Sequence, residues 1–137
     1  MRVIHRLLDI KGDPMKIIII GGVAGGATAA ARIRRLDEKA EIVIFERSGY
    51  ISYANCGLPY YVGGVIKDKS NLALQTPESF FRRFKIIAKV NHEVTNIDTQ
   101  SKTVFVTDLK TGINFEEKYD KLILAPGAKP ILPDFYV

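Results

Sequence analysis

A glycine-rich turn, a carboxylate and a lone thiol lie within one short stretch of this chain. The turn reads Gly21-Gly22-Val23-Ala24-Gly25-Gly26. Glycines bend the chain sharply and let backbone N–H groups approach a pyrophosphate, and a helix starting there adds partial positive charge. The carboxylate is Glu46, 20 residues beyond Gly26, where it can accept both hydroxyls of an adenosine ribose. A phosphate on that ribose would be repelled, so the pair suits FAD or NAD better than NADP. The thiol is Cys56, the single cysteine. It precedes a predicted helix with Pro59 in its first turn, and a thiol at such a place is favoured as the nucleophilic thiolate. A lone cysteine is commonly small core filler. Placed one loop after a dinucleotide turn, it reads as a redox group.

The elements around these residues must hold them. Ile17–Ile20 is a β-branched run that suits a parallel strand buried on both faces. Ala27–Leu36 has strong helix propensity, and its small residues let the helix sit close to a sheet. Asp37-Glu38-Lys39 ends it, and Glu41–Glu46 is a second apolar strand. This is a βαβ unit of about 30 residues. The usual pattern is G-x-G-x-x-G, and here Val23 stands at the middle glycine.

Further along, Thr76 is predicted to cap a short helix that begins at Pro77. Lys85–Val90 is predicted as a strand. Segments 93–98, 102–107 and 113–117 read as a meander, and Tyr119–Ala125 as another buried strand. NAD-binding Rossmann domains usually cross over here with a helix, so the meander argues against a plain NAD domain. His92 reads as a hydrogen-bonded residue at a strand end. Residues 1–14, with His5 and the Gly12-Asp13-Pro14 breaker, read as an appended extension, and the domain proper as starting at Met15. The fold class is α/β: a parallel sheet with helices and a small antiparallel meander.

Composition bounds the function. The 137 residues are enough for one domain. One cysteine rules out a disulfide-stapled scaffold, and no Cys/His cluster suggests a zinc or other metal site. No apolar run approaches the ~18 residues of a membrane span. Lys and Arg outnumber Asp and Glu by 20 to 15, a net charge of +5. The basic residues are spread out, with knots at Arg32/Arg34/Arg35 and Arg82/Arg83/Lys85. That distribution does not form a nucleic-acid stripe, but it can meet a polyanionic small molecule.

The strings Gly-Gly-Val-Ala-Gly-Gly-Ala-Thr (residues 21–28) and Ser-Tyr-Ala-Asn-Cys-Gly-Leu-Pro-Tyr-Tyr (residues 52–61) resemble the coenzyme A disulfide reductase branch of the pyridine nucleotide-disulfide oxidoreductases. The related NADH-dependent persulfide reductases carry much the same motif, and in this family Val at the middle position is normal. The resemblance covers residues 15–133. It implies a Rossmann-like FAD-binding domain over 15–137, the N-terminal segment of a longer, cytoplasmic, homodimeric enzyme. Gly21, Gly22, Val23, Ala24, Gly25 and Gly26 would meet the FAD pyrophosphate, with Glu46 and Arg47 at the ribose. Ala125 and Gly127 belong to a loop resembling the second FAD contact, and Pro126 stands where many relatives have Thr. Cys56 would be the catalytic thiol. NADH or NADPH would reduce the flavin, and the flavin would reduce a mixed disulfide of Cys56 with coenzyme A. Thr28, Arg32, Arg35, Ser52 and Asn55 fall at positions that meet coenzyme A in such enzymes, and the substrate would be coenzyme A disulfide or a persulfide.

Two other branches fit less well. Glutathione-reductase-like members use two cysteines with four residues between them, and residue 61 here is Tyr. The NADH oxidase and peroxidase branch, which cycles its cysteine through sulfenic acid, places a His in the glycine turn, and residues 23–26 have none. That branch stays open as an alternative, as does a catalytically inactive nucleotide-binding fragment.

Overall fold

A computed structural model describes residues 13–129 and residue 131. The predicted extension, with His5, lies outside them except for Asp13 and Pro14. The βαβ unit is present as β1 (Lys16–Ile20), α1 (Gly25–Leu36) and β2 (Glu41–Glu46). Next come β3 (Ile51–Tyr53), a 3-10 turn (Asn55–Gly57) and α2 (Leu58–Val62). After another 3-10 turn the chain forms β4 (Ala73–Gln75), α3 (Pro77–Phe84) and β5 (Ile87–Val90). It ends in β6 (His92–Asp98), β7 (Thr103–Asp108), β8 (Asn114–Lys118) and β9 (Lys121–Leu124).

Four strands make one parallel sheet in the order β5-β2-β1-β9. Successive side chains on a strand point to opposite faces, and that alternation builds two cores. Ile17, Ile19, Ile42 and Ile44 face one side, where Ala27 and Ala30 of α1 and Phe80 of α3 cover them. Ile18, Val43 and Phe45 face the other, where Val104 and Val106 of the antiparallel β6-β7-β8 meander cover them. Each fully buried Ile or Phe is worth roughly 1.5–3 kcal/mol. The sheet is thus a middle layer, with helices on one face and the meander on the other.

Helix α3 starts as the sequence predicts. The Thr76 hydroxyl accepts the Ser79 amide at 3.2 Å, and the Ser79 hydroxyl accepts the Thr76 amide at 2.9 Å. Its end corrects one expectation. Lys85 is not in a strand but closes the helix in the left-handed conformation, φ 53°, so β5 begins only at Ile87. The closing strand is a second correction. Among the described residues β9 pairs with β1 alone and is the sheet's outer strand, which leaves Leu124 61% exposed. Its apolar run does not report burial, because nothing among the described residues covers that edge.

Candidate functional site

The site begins where β1, β2 and β9 end together. Gly21 donates its amide to the Phe45 carbonyl at 2.8 Å, and Ala125 donates its own to Ile20 at 2.8 Å. Neighbours of β1 lead off in both directions here, the kind of switch point at which parallel sheets bind ligands.

Close approach dictates two of the glycines. Gly21 has φ +94°, and a Cβ on it would lie 2.0 Å from the Ala125 carbonyl oxygen. A Cβ on Gly26 would lie 1.8 Å from the Gly21 carbonyl oxygen, so only glycine lets α1 start this close to β1. Gly25 differs, since a Cβ there would meet only the Ala125 Cβ, at 3.7 Å. The free side of Gly25 is open space at the helix start. Helix α1 is 12 residues long, with no side-chain cap and no acid in its first turn. Its leading N–H groups are therefore left for an anion.

Glu46 is 8% exposed. One carboxylate oxygen accepts the Gly22 amide at 2.6 Å, and the other accepts the Ser48 amide at 2.7 Å. An ionised carboxylate offers about four acceptor sites, so about two remain for ribose hydroxyls. These residues fit the FAD expectation. The α1 start has free N–H groups and an open Gly25, and Glu46, the fixed acceptor, lines a cavity of about 220 Å³ together with Gly21, Arg47, His92 and Pro126 among others. Arg47 is exposed and pairs with Glu93 at 3.4 Å. Val23 is half-buried, and Ala24 and Gly127 are exposed. Ala125 acts through its backbone against Gly21, while Pro126, not marked as a contact in the sequence, lines the cavity.

His92 donates from Nδ1 to the Val90 carbonyl at 2.8 Å, as expected of a strand end. Its ring also packs against Phe45 and Phe115, which places it in the cavity wall.

Cys56 is exposed, in the 3-10 turn ahead of α2. Its loop is held by the β3–β4 pair and by Leu72, whose carbonyl accepts the Ala54 amide at 2.8 Å. α2 is only five residues long. The helix-end field at the thiol is accordingly smaller than a full-length helix would give.

A second concavity lies along the flank of α1. A groove of about 480 Å³ brings together Thr28, Arg32, Arg35 and Ser52, as the sequence implied, and adds Gln75, Phe80, Arg83 and Phe84. Asn55 does not line it. Ser52 is in the left-handed region, φ 53°, and its amide donates to the Gly22 carbonyl at 2.8 Å. The glycine turn therefore sets the position of the loop that carries both Ser52 and Cys56. Arg34 behaves differently from its neighbours. Its guanidinium donates to the carbonyls of Phe84 (2.8 Å), Lys85 (3.1 Å), Asp37 (3.2 Å) and Glu38 (2.7 Å). It ties the end of α1 to the end of α3 and is not a free surface cation. Spacing along the chain gives no hint of this role, because the acceptors are backbone groups, two of them about 50 residues away.

Among the described residues, no helix is long and apolar enough to cross a membrane. Comparison with known proteins agrees with the geometry. The model of the pyridine nucleotide-disulphide oxidoreductases matches residues 15–136. The chain is 50% identical over 113 residues to the coenzyme A disulfide reductase of Staphylococcus aureus, covering 82% of this chain and 26% of that protein. Among solved structures, reduced CoADR-RHD of Bacillus anthracis superposes with a TM-score of 0.86 at 50% identity, over 88% of this chain and 22% of that one. A NAD-dependent persulfide reductase from A. fulgidus gives 0.83 at 39% identity, over 88% and 22%. The water-forming NADH oxidase of Lactobacillus brevis gives 0.81 at 34% identity, over 88% and 26%. The chain therefore spans about a quarter of the length of these relatives. A family model that matches residues 15–136, nearly the whole of the described domain, makes this chain a member of the pyridine nucleotide-disulphide oxidoreductase family.

Proposed function

We propose that this chain is the N-terminal FAD-binding segment, residues 15–137, of a NAD(P)H-dependent flavoprotein that reduces coenzyme A disulfide or a persulfide through Cys56. The observation that carries the reading is one loop serving two places. Ser52 lines the arginine groove, and Cys56, four residues on, presents an exposed thiol. The relative from Staphylococcus aureus is named a coenzyme A disulfide reductase, which supports the same substrate.

The chemistry assigned to these residues is thiol–disulfide exchange. The Cys56 thiolate attacks one sulfur of the substrate disulfide, the S–S bond breaks, and one coenzyme A leaves as its thiolate. A mixed disulfide between Cys56 and the second coenzyme A remains. Bound FAD would supply the two electrons, drawn from NAD(P)H, that reopen it. The turn at 21–26 and the α1 start hold the cofactor pyrophosphate, Glu46 holds its ribose beside Arg47, and Ala125 with Gly127 shape the opposite lip. Arg32 and Arg35 grip substrate phosphates, while Thr28, Ser52 and Asn55 receive the pantetheine arm. The working form is a cytoplasmic homodimer, as the family resemblance implies.

A second reading has its own support. The match to the water-forming NADH oxidase favours an oxidase or peroxidase in which Cys56 cycles through sulfenic acid. Cys56→Ser in the complete protein separates the two. It should keep its flavin and lose reduction of coenzyme A disulfide. If most disulfide turnover survives, Cys56 is not the catalytic thiol. If only reduction of oxygen or peroxide is lost, the oxidase reading replaces this one.

A further inference from the structure

The groove beside α1 holds one more cation than the sequence assigned to it. Arg32 and Arg35 come from α1, and Arg83 comes from α3 on the opposite wall. No carboxylate lines the groove. Among the described residues none of the three arginines is in an ion pair, since every pair there involves Lys16 or Arg47. Guanidinium groups stay charged at any ordinary pH. Three of them around one concavity repel each other, and their field draws in a multiply charged anion.

Arg83 is exposed, on a helix end that Arg34 holds. Its guanidinium carbon lies 5.1 Å from the centre of the Phe84 ring, a cation–π position. The carbonyls of Phe84 and Lys85, next along the chain, are held by Arg34 of α1. Arg34 thus sets the spacing between the two walls. Arg82, the neighbouring arginine on α3, is exposed like Arg83 but does not line the groove.

We propose that Arg83 is a specificity-determining residue that clamps the ligand's phosphates from α3 against Arg32 and Arg35 on α1, so that the groove selects a coenzyme A-type substrate over its phosphate-free counterpart. The proposal rests on the substrate reading above and adds a residue to it. Coenzyme A carries a pyrophosphate and a separate ribose phosphate, and two arginines on one helix face reach only one side of such a ligand. A cation on the facing wall closes the clamp. Pantethine, the disulfide of the same arm without phosphates, gains nothing from it.

The test uses the complete, FAD-loaded protein with coenzyme A disulfide and pantethine as paired substrates. Arg83→Ala should raise KM for coenzyme A disulfide by about tenfold or more, the loss expected for one charged contact, and move KM for pantethine less than twofold. Arg83→Lys should recover part of the loss, because the charge remains without the planar fork. Titration of coenzyme A by calorimetry should show the same ranking without turnover. Arg82→Ala should move neither KM. Equal effects of Arg83→Ala on both substrates, or none on either, overturn the proposal. If Arg35→Ala then removes the preference for coenzyme A disulfide, the substrate reading stands without Arg83. A wild-type protein that turns over neither disulfide overturns both.

Discussion

Adjacent glycines in the turn should respond to alanine in opposite ways. A Cβ on Gly26 would lie 1.8 Å from the Gly21 carbonyl oxygen, where 3.0 Å is the least that real contacts show. In Gly26→Ala the start of α1 must therefore retreat from the end of β1 by about 1.2 Å, with both partners backbone and neither able to rotate aside. Overpacking of that kind costs roughly 1–3 kcal/mol, and each kcal/mol lowers Tm by roughly 3–6 °C in a domain of this size. The same retreat carries the helix N–H groups away from the turn, so FAD should be lost as well. In Gly25→Ala the new Cβ meets only the Ala125 Cβ, at 3.7 Å. That variant should be as stable as the parent or gain about 0.4–1 kcal/mol from a less flexible unfolded chain. Its methyl group nevertheless fills the open side where the pyrophosphate is placed. The assay is paired: Tm of the ligand-free protein, and flavin released on denaturing the purified holoprotein. The expected result is a stable, flavin-poor Gly25→Ala and an unstable, flavin-poor Gly26→Ala. Full flavin content in Gly25→Ala would refute the placement of the cofactor at this turn, and an unchanged Tm in Gly26→Ala would refute the close approach of α1 to β1.

The remaining predictions rest on single contacts. Glu46→Gln keeps the shape but turns an amide N–H toward a backbone N–H of Gly22 or Ser48, so FAD affinity should fall by roughly 1–3 kcal/mol in a fluorescence titration. Arg34→Met removes four hydrogen bonds, two to the end of α1 itself and two across to the end of α3, and should cost about 1–3 kcal/mol in urea unfolding. Arg34→Lys should recover little of that loss, because an ammonium cannot span carbonyls on both helices. The Lys110 amide and Thr111 hydroxyl bonds hold the Asp108 carboxyl below its ordinary 3.8, with His92 adding a smaller pull in the same direction. A lowered carboxyl contributes stability that is complete above 3.8 and is lost as pH falls through the folded value. The urea midpoint should therefore drop below pH 3.8, and Asp108→Asn should flatten that part of the profile.

Periodicity and glycine spacing determined the βαβ unit. A β-branched run, an alanine-rich helix and a second run ending in Glu46 leave little choice, because local propensity and burial agree there. The cap at Thr76 was legible for the same reason: its partner Ser79 lies three residues on. The outer position of β9 was not legible. An apolar run looks the same whether a sheet continues past it or stops, and only strand order shows that Leu124 is exposed. The end of α3 was missed because Lys85 adopts a left-handed conformation that its residue type does not announce. At the site, Gly21, Gly26 and Glu46 followed from spacing, while the groove did not. Arg32 and Arg35 share a face by helical period, but Arg83 and Phe84 join them only because α3 folds back across the same sheet face. Arg34, indistinguishable from its neighbours in the sequence, is spent on carbonyls at the end of its own helix and at the end of α3, about 50 residues on. Local spacing fixes what one helix or turn presents, whereas the opposite wall of a groove is chosen by packing between segments that the chain order does not relate.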